Sequence, residues 1–380
     1  MAKNANLSQA KAAKNDEFYT QYADIQKEVN AYIEYNPDVF RGKTILLPCD
    51  DPEWSNFTKF FAQNFEFFGL RKLISTSYAI ESKKFKEGYM PSLFETESPH
   101  YDIDKTRTHG KIFVLDHDTN ASGRIDIDDL EWKYLEGDGD FRSKEVTALR
   151  DEADIIITNP PFSLFREFLA WIVEGHKDFL IIGNSNSITC KEIFPIIKNN
   201  AMWLGVSSGS KTYVKLNGEK QTMGNTCWFT NIDHGRRHQP MKLMTLADNL
   251  KFNKKMKGQT EYYPYDNFDA IEVPSASAIP SDYLGIMGVP ISFLDRYCPE
   301  QFEILGLTQI GCHEDVPDFK RYNSYKEIER ASGRPTGASG GKTNENAVLK
   351  GEGDKKTYYL GPNGEKVYSE YKRIFIRKKQ

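Results

Sequence analysis

The string DIIITNPPFSLFREFLAWI, Asp154 to Ile172, limits the fold more than any other stretch of the chain. A short apolar run, Asp154 to Thr158, leads into Asn159-Pro160-Pro161-Phe162, and apolar residues then recur at three- and four-residue spacing. The run suits a strand buried on both faces and the spacing suits an amphipathic helix, so together they read as part of a βαβ unit. The same alternation runs through the first half. Strands are expected at Thr44 to Pro48, Lys72 to Thr76, Lys111 to Leu115, Asp154 to Thr158 and Phe179 to Gly183, and helices at Trp54 to Phe65, Phe162 to Glu174 and Cys190 to Lys198. The fold class is therefore α/β around a mostly parallel sheet, with ligands expected at the carboxyl ends of its strands.

Those ends carry chemistry. Pro160 and Pro161 fix φ and remove two N–H donors, which stiffens the turn after the strand and leaves carbonyls able to accept from a ligand. An Asn side chain beside such a carbonyl can accept both hydrogens of an amino group. A ring-conjugated NH₂ is a poor nucleophile, and two acceptors placed tetrahedrally favour the pyramidal geometry that attack requires. Phe162 offers a π-face for an extruded base. The plain alternative is a loop breaker followed by a core phenylalanine, and the strand before and helix after argue against it.

In this setting NPPF resembles the motif of the amino-methyltransferases that use S-adenosylmethionine. The wider chain is similar to the EcoRI-type adenine-specific DNA methyltransferase family through DEFYTQY (Asp16 to Tyr22), PCDDPEWSNF (Pro48 to Phe57), GDGDFRS (Gly137 to Ser143), NPPFSLFREF, GIMGVPISFLDRY (Gly285 to Tyr297) and YKRIFIR (Tyr371 to Arg377). The resemblance implies a Rossmann-like S-adenosylmethionine methyltransferase sheet with an appended C-terminal recognition region. It further implies direct methyl transfer to N6 of a flipped adenine in double-stranded DNA, in restriction-modification or DNA protection. Asn159, Pro160, Pro161 and Phe162 would be the catalytic set. Phe18, Tyr19 and Thr20 would line the cofactor, as would Cys49, Asp50, Asp51 and Pro52 after the first strand. Asp140 would accept from the cofactor adenine amine and Phe141 would pack on its ring. The Gly-rich loop common in methyltransferases is missing, so either Asp50 or Asp51 can be the cofactor carboxylate, and each can equally be a helix cap. Methyl transfer to RNA adenine or protein glutamine, or non-catalytic DNA binding by a degenerate cofactor pocket, stays open on the motif alone.

Charge separates the halves. Glu95 to Asp154 holds 17 acidic and 8 basic residues, Lys211 to Lys257 holds 10 basic and 3 acidic, and the last nine residues add five cations. Phosphate contact is thus expected on the second half, with Arg236, Arg237, Arg373, Arg377 and Lys378 as candidates. The expected division is a catalytic domain over 1–235 and a recognition region over 236–380, with a mobile Gly- and Ser-rich loop near 333–347. Five scattered cysteines without a CxxC pair, no apolar leader and no long apolar window point to a cytoplasmic protein with no membrane partner. No metal is expected: the acidic stretch Asp116 to Asp129 lacks the Gly and Glu of a calcium loop. GASGGKT, Gly337 to Thr343, lacks the first glycine of a P-loop. A cognate endonuclease would share the DNA site without being a stable partner, and the asymmetric layout permits a monomer.

Overall fold

The computed structural model describes residues 20–50, 55–79, 101–214, 220–318 and 320–379. Phe18, Tyr19, Asp51 and Pro52 lie outside them. The chain divides into two compact units, one formed by Met1–Ser185 and Leu204–Gly235, the other by Asn186–Trp203 and Arg236–Gln380.

The first unit is a mixed α/β structure. Along the chain come α1 (Tyr22–Tyr35), β1 (Thr44–Pro48), α2 (Asn56–Gln63), β2 (Lys72–Ser77), β3 (Lys111–Leu115), β4 (Glu131–Tyr134), α3 (Lys144–Glu152), β5 (Ile155–Thr158), α4 (Phe165–Glu174), β6 (Asp178–Asn184), β7 (Trp203–Val214) and β8 (Lys220–Thr230). The strands form one sheet in the order β4-β3-β2-β1-β5-β6-β8-β7. β2, β1, β5 and β6 run parallel, with Leu46 opposite both Ile74 and Ile156. β3, β4 and β8 join antiparallel. Every residue of β1 and β5 is buried, which is why both read as unbroken apolar runs. From β1 the chain proceeds to β2 on one side and later to β5 on the other, so the strand order reverses between β1 and β5.

The helix after NPPF begins later than its sequence suggests. Phe162–Leu164 forms a 3₁₀ turn in which Leu164 N–H donates to the Pro161 carbonyl at 2.9 Å, and α4 starts at Phe165. Phe165 is seated over Gly183 of β6, where a Cβ would stand 2.4 Å from its ring. The expected helix over Cys190 to Lys198 shrinks to Phe194–Lys198, since Pro195 is accommodated only in a first helical turn. Buried Glu28 of α1 ties α1 to β7 by accepting from Val206 N at 2.6 Å and Ser207 N at 2.8 Å.

The second unit holds a four-stranded sheet, ordered β11-β17-β10-β9, and a five-stranded sheet, ordered β13-β12-β15-β16-β14. These strands are β9 (Ile271–Glu272), β10 (Met287–Pro290), β11 (Phe302–Leu307), β12 (Lys326–Glu329), β13 (Pro335–Ser339), β14 (Val348–Lys350), β15 (Thr357–Leu360), β16 (Lys366–Ser369) and β17 (Arg373–Lys378). The stretch 333–347 is not the loose loop expected of it. It contributes β13 and a 3₁₀ turn, Gly340–Glu345, with Gly340, Thr343 and Asn344 buried. Asn344 Oδ1 accepts from Tyr322 N at 2.9 Å, and a Cβ on Gly340 would lie 2.4 Å from the Tyr322 carbonyl oxygen. Gly340 thus serves close backbone approach, while Gly333 and Gly337 take the left-handed φ of +66° and +86° that suits glycine.

Candidate active site

Three of the sequence blocks meet along the carboxyl edge of the parallel strands. β1 ends in a turn where Cys49 has φ +85°, a left-handed conformation that strains a non-glycine residue. The turn holds because Cys49 N and Asp50 N both donate to the Thr76 carbonyl of β2, at 3.0 and 2.9 Å. The Asp50 carbonyl in turn accepts from Thr58 Oγ1 at 3.2 Å and from Ser75 Oγ.

The Asp50 side chain turns inward. It is 5% exposed, and its Oδ1 accepts from Ser55 Oγ at 2.7 Å while Oδ2 lies 2.6 Å from Thr158 Oγ1. Thr158 Oγ1 is also 2.8 Å from the Pro48 carbonyl, so its single proton is shared between the carboxylate and the end of β1. Asp50 therefore serves the turn itself rather than facing a cationic ligand. It does not cap α2 either, because Ser55 does so by accepting from Phe57 N at 3.0 Å. The result is a hydroxyl bridge from β1 to the residue that immediately precedes Asn159. Thr158 and Ser55 escape a motif search because an apolar strand and a helix start give a single hydroxyl no signature.

Past Thr158, Asn159 is half-buried, Pro160 is buried, and Pro161 and Phe162 are half-buried. The Phe162 ring stands perpendicular to Tyr213 at 6.5 Å between centroids. Tyr213 of β7 is fully buried, and that burial pushes its hydroxyl up to about 12, so it stays protonated. Nothing in the sequence singled it out.

The GDGD turn is pinned against the end of β2. Ala79 N donates to the Asp138 carbonyl at 2.7 Å, and a Cβ on Gly139, whose φ is +82°, would stand 2.3 Å from the Ser77 carbonyl oxygen. Asp140 reaches this edge, but its carboxylate takes Arg142 in a forked pair, at 2.9 Å to Nε and 2.6 Å to Nη2. Phe141 is only 5% exposed and packs edge-on against Phe168 and Trp171 of α4, at 5.0 and 5.6 Å. Its ring is core, which corrects the expectation that it stacks on a ligand.

Two buried hydroxyls at this edge, Thr20 Oγ1 and Thr76 Oγ1, have no hydrogen-bond partner among the described residues. Unsatisfied buried hydroxyls are uncommon, and an ordered water or a polar ligand can satisfy them. Thr20 also accepts through its carbonyl from Asn56 Nδ2 at 2.8 Å, which fixes the entry to α1.

The basic candidates fare differently. Arg373 is buried with Nε and Nη2 on Glu272, at 2.8 to 3.2 Å, and Nη1 on the Tyr371 carbonyl at 3.0 Å. Arg237 is buried with its guanidinium 3.5 Å from the centre of the Trp203 ring and donates to Asn200 Oδ1 at 2.5 Å. Arg377 pairs with Glu303 at 2.9 Å, and Lys378 Nζ donates to the Ser281 carbonyl at 2.6 Å. Arg236 is half-buried. β17 is an inner strand of its sheet, so the terminal cations chiefly hold that sheet together.

Among the described residues, no helix is long and apolar enough to cross a membrane. No solved structure matches the chain. Residues 6–379 match the family model described as adenine-specific methyltransferase EcoRI. The Type II methyltransferase M.EcoRI of Escherichia coli is 41% identical over 326 residues, covering 80% of this chain and 90% of that protein. The Type II methyltransferase M.MpnI of Mycoplasma pneumoniae is 32% identical over 320 residues, covering 79% and 84%. With the match spanning nearly its whole length, the chain belongs to the EcoRI family of adenine-specific methyltransferases.

Proposed function

We propose that the protein methylates N6 of adenine in duplex DNA, with S-adenosylmethionine as donor and a Rossmann-like sheet as its platform. The observation that carries this reading is the position of Asn159-Pro160-Pro161-Phe162. The motif follows β5 at the point where strand order reverses, and Thr158 joins it to the strained turn after β1. The orphaned Thr20 and Thr76 hydroxyls fit a polar cofactor at the same edge. Thr20 and the backbone around Cys49 would hold it, joined through the family resemblance by Phe18, Tyr19, Asp51 and Pro52. When bound, S-adenosylmethionine supplies an electrophilic methyl group on a sulfonium.

The chain's own residues do the rest. N6 inside a base stack cannot be approached in line, so the adenine is extruded, at about a few kcal/mol of unstacking and unpairing energy. Asn159 Oδ1 and the Pro160 carbonyl accept the two amino hydrogens and localise the N6 lone pair. The Pro161 carbonyl is taken by Leu164, which leaves this role to Pro160. Phe162 gives the flipped ring a π-face, with Tyr213 supporting it edge-on. The surplus proton leaves N6 through Asn159 and the backbone acceptor to water, so no strong general base is needed. The second unit contacts the DNA, and the modification protects the site from a cognate endonuclease.

Calorimetric titration of the full chain with S-adenosylmethionine tests the cofactor assignment. Saturable binding without DNA is the expected outcome. Absence of heat both with and without duplex DNA would overturn it.

A further inference from the structure

The second-unit cations that the sequence puts forward for phosphate contact already have partners within the protein. Arg237 and Arg373 are buried on a ring and a carboxylate and could reach phosphate only by giving up those partners, while Arg377 and Lys378 each already hold one partner. Lys211, counted in the same basic stretch of sequence, belongs to the first unit and is buried with its ammonium 3.2 Å from Ser207 Oγ. The segment from Lys242 to Lys257 is different. It holds five lysines and one carboxylate, Asp248, which accepts from Thr245 Oγ1 at 2.7 Å. Lys242, Lys251, Lys254, Lys255 and Lys257 are exposed and make no ion pair among the described residues.

This cationic segment is also built rigidly. A short helix, Leu246–Phe252, starts at the Thr245 cap and ends at Asn253. Asn253 Nδ2 donates to Asn249 Oδ1 at 2.9 Å and to the Ser277 carbonyl at 2.8 Å, and its Oδ1 accepts from Lys255 N at 3.0 Å. A 3₁₀ turn, Lys254–Met256, follows, and Met256 is fully buried as its plug. These anchors leave Lys251, Phe252, Lys254, Lys255 and Lys257 outward. Phe252 is 63% exposed beside the Lys251 ammonium. The five-stranded sheet is less biased: Lys326 to Lys366 holds eight basic and six acidic residues.

We propose that the knuckle over Lys242 to Lys257 is a phosphate-tracking surface for duplex DNA. Unpaired ammonium groups on a fixed backbone gain phosphate contact and counterion release without first breaking an ion pair. The exposed phenylalanine among them suits the apolar sugar and base faces that flank phosphates in DNA. The inference rests on the DNA-methyltransferase reading.

The test measures affinity of the full chain for duplex DNA against salt concentration, by fluorescence anisotropy. The variant carries Lys251→Ala, Lys254→Ala, Lys255→Ala and Lys257→Ala, and a matched control carries Arg330→Ala, Arg334→Ala, Lys350→Ala and Lys356→Ala. Each phosphate contact adds about 0.9 to the slope of log affinity against log salt, so the knuckle variant should lose roughly 2 to 4 from that slope. It should keep the wild-type melting temperature and the wild-type transfer rate at saturating DNA, and the control should keep the wild-type slope. A wild-type slope in the knuckle variant, or an equal loss in the control, overturns the proposal. Failure of the wild-type protein to bind or methylate duplex DNA would instead bring down the underlying reading.

Discussion

Asn159→Ala is expected to lower the single-turnover rate of methyl transfer by about 10²- to 10³-fold, the usual consequence of losing one preorganised polar partner at a reacting group. Affinity for S-adenosylmethionine should change little, because Thr76, Ser55 and Thr158 hold the turn after β1. Rapid-quench kinetics with enzyme in excess separates the two effects. Phe162→Ala should act mainly on capture of the flipped base. Wild-type turnover in Asn159→Ala would show that the amino group is held elsewhere.

The second large effect concerns stability. Arg373→Ala strands the Glu272 carboxylate, which is 7% exposed, beside the Tyr265 hydroxyl with its guanidinium partner gone. Removing one member of a buried, hydrogen-bonded ion pair typically costs about 3–5 kcal/mol, a large part of the stability of an ordinary domain. Urea unfolding should therefore show Arg373→Ala far less stable than Arg377→Ala, whose exposed pair with Glu303 is worth about 0–1 kcal/mol. Equal midpoints for the two variants would mean that the buried pair contributes nothing.

Arg373 also shows why part of the molecule was not legible in the sequence. Its partner lies 101 residues away, so a terminal run of cations looks like a solvated or phosphate-facing tail until the chain is folded. Asp50 is a similar case, since its partner Thr158 is 108 residues distant and hydroxyl-carboxylate pairing has no local signature. Gly340 carries no local sign either, since glycine content alone does not separate a mobile loop from a tight backbone approach. What could be read was whatever depends on local pattern. β1 and β3 fall on their expected residues, and β5 differs by one, because strands buried on both faces must be unbroken apolar runs. The NPPF turn was legible because two prolines between a strand and an amphipathic segment leave few backbone options. The first turn of the following helix is not legible in the same way, since Phe162 to Leu164 have helix-like spacing but close a 3₁₀ turn onto Pro161.

The most direct test of the account is methyl transfer from labelled S-adenosylmethionine to duplex DNA, RNA and protein assayed side by side, with nucleoside analysis of the product. Label is expected in duplex DNA as N6-methyladenine. Label only in RNA or protein, or exclusively as N4-methylcytosine, would contradict it.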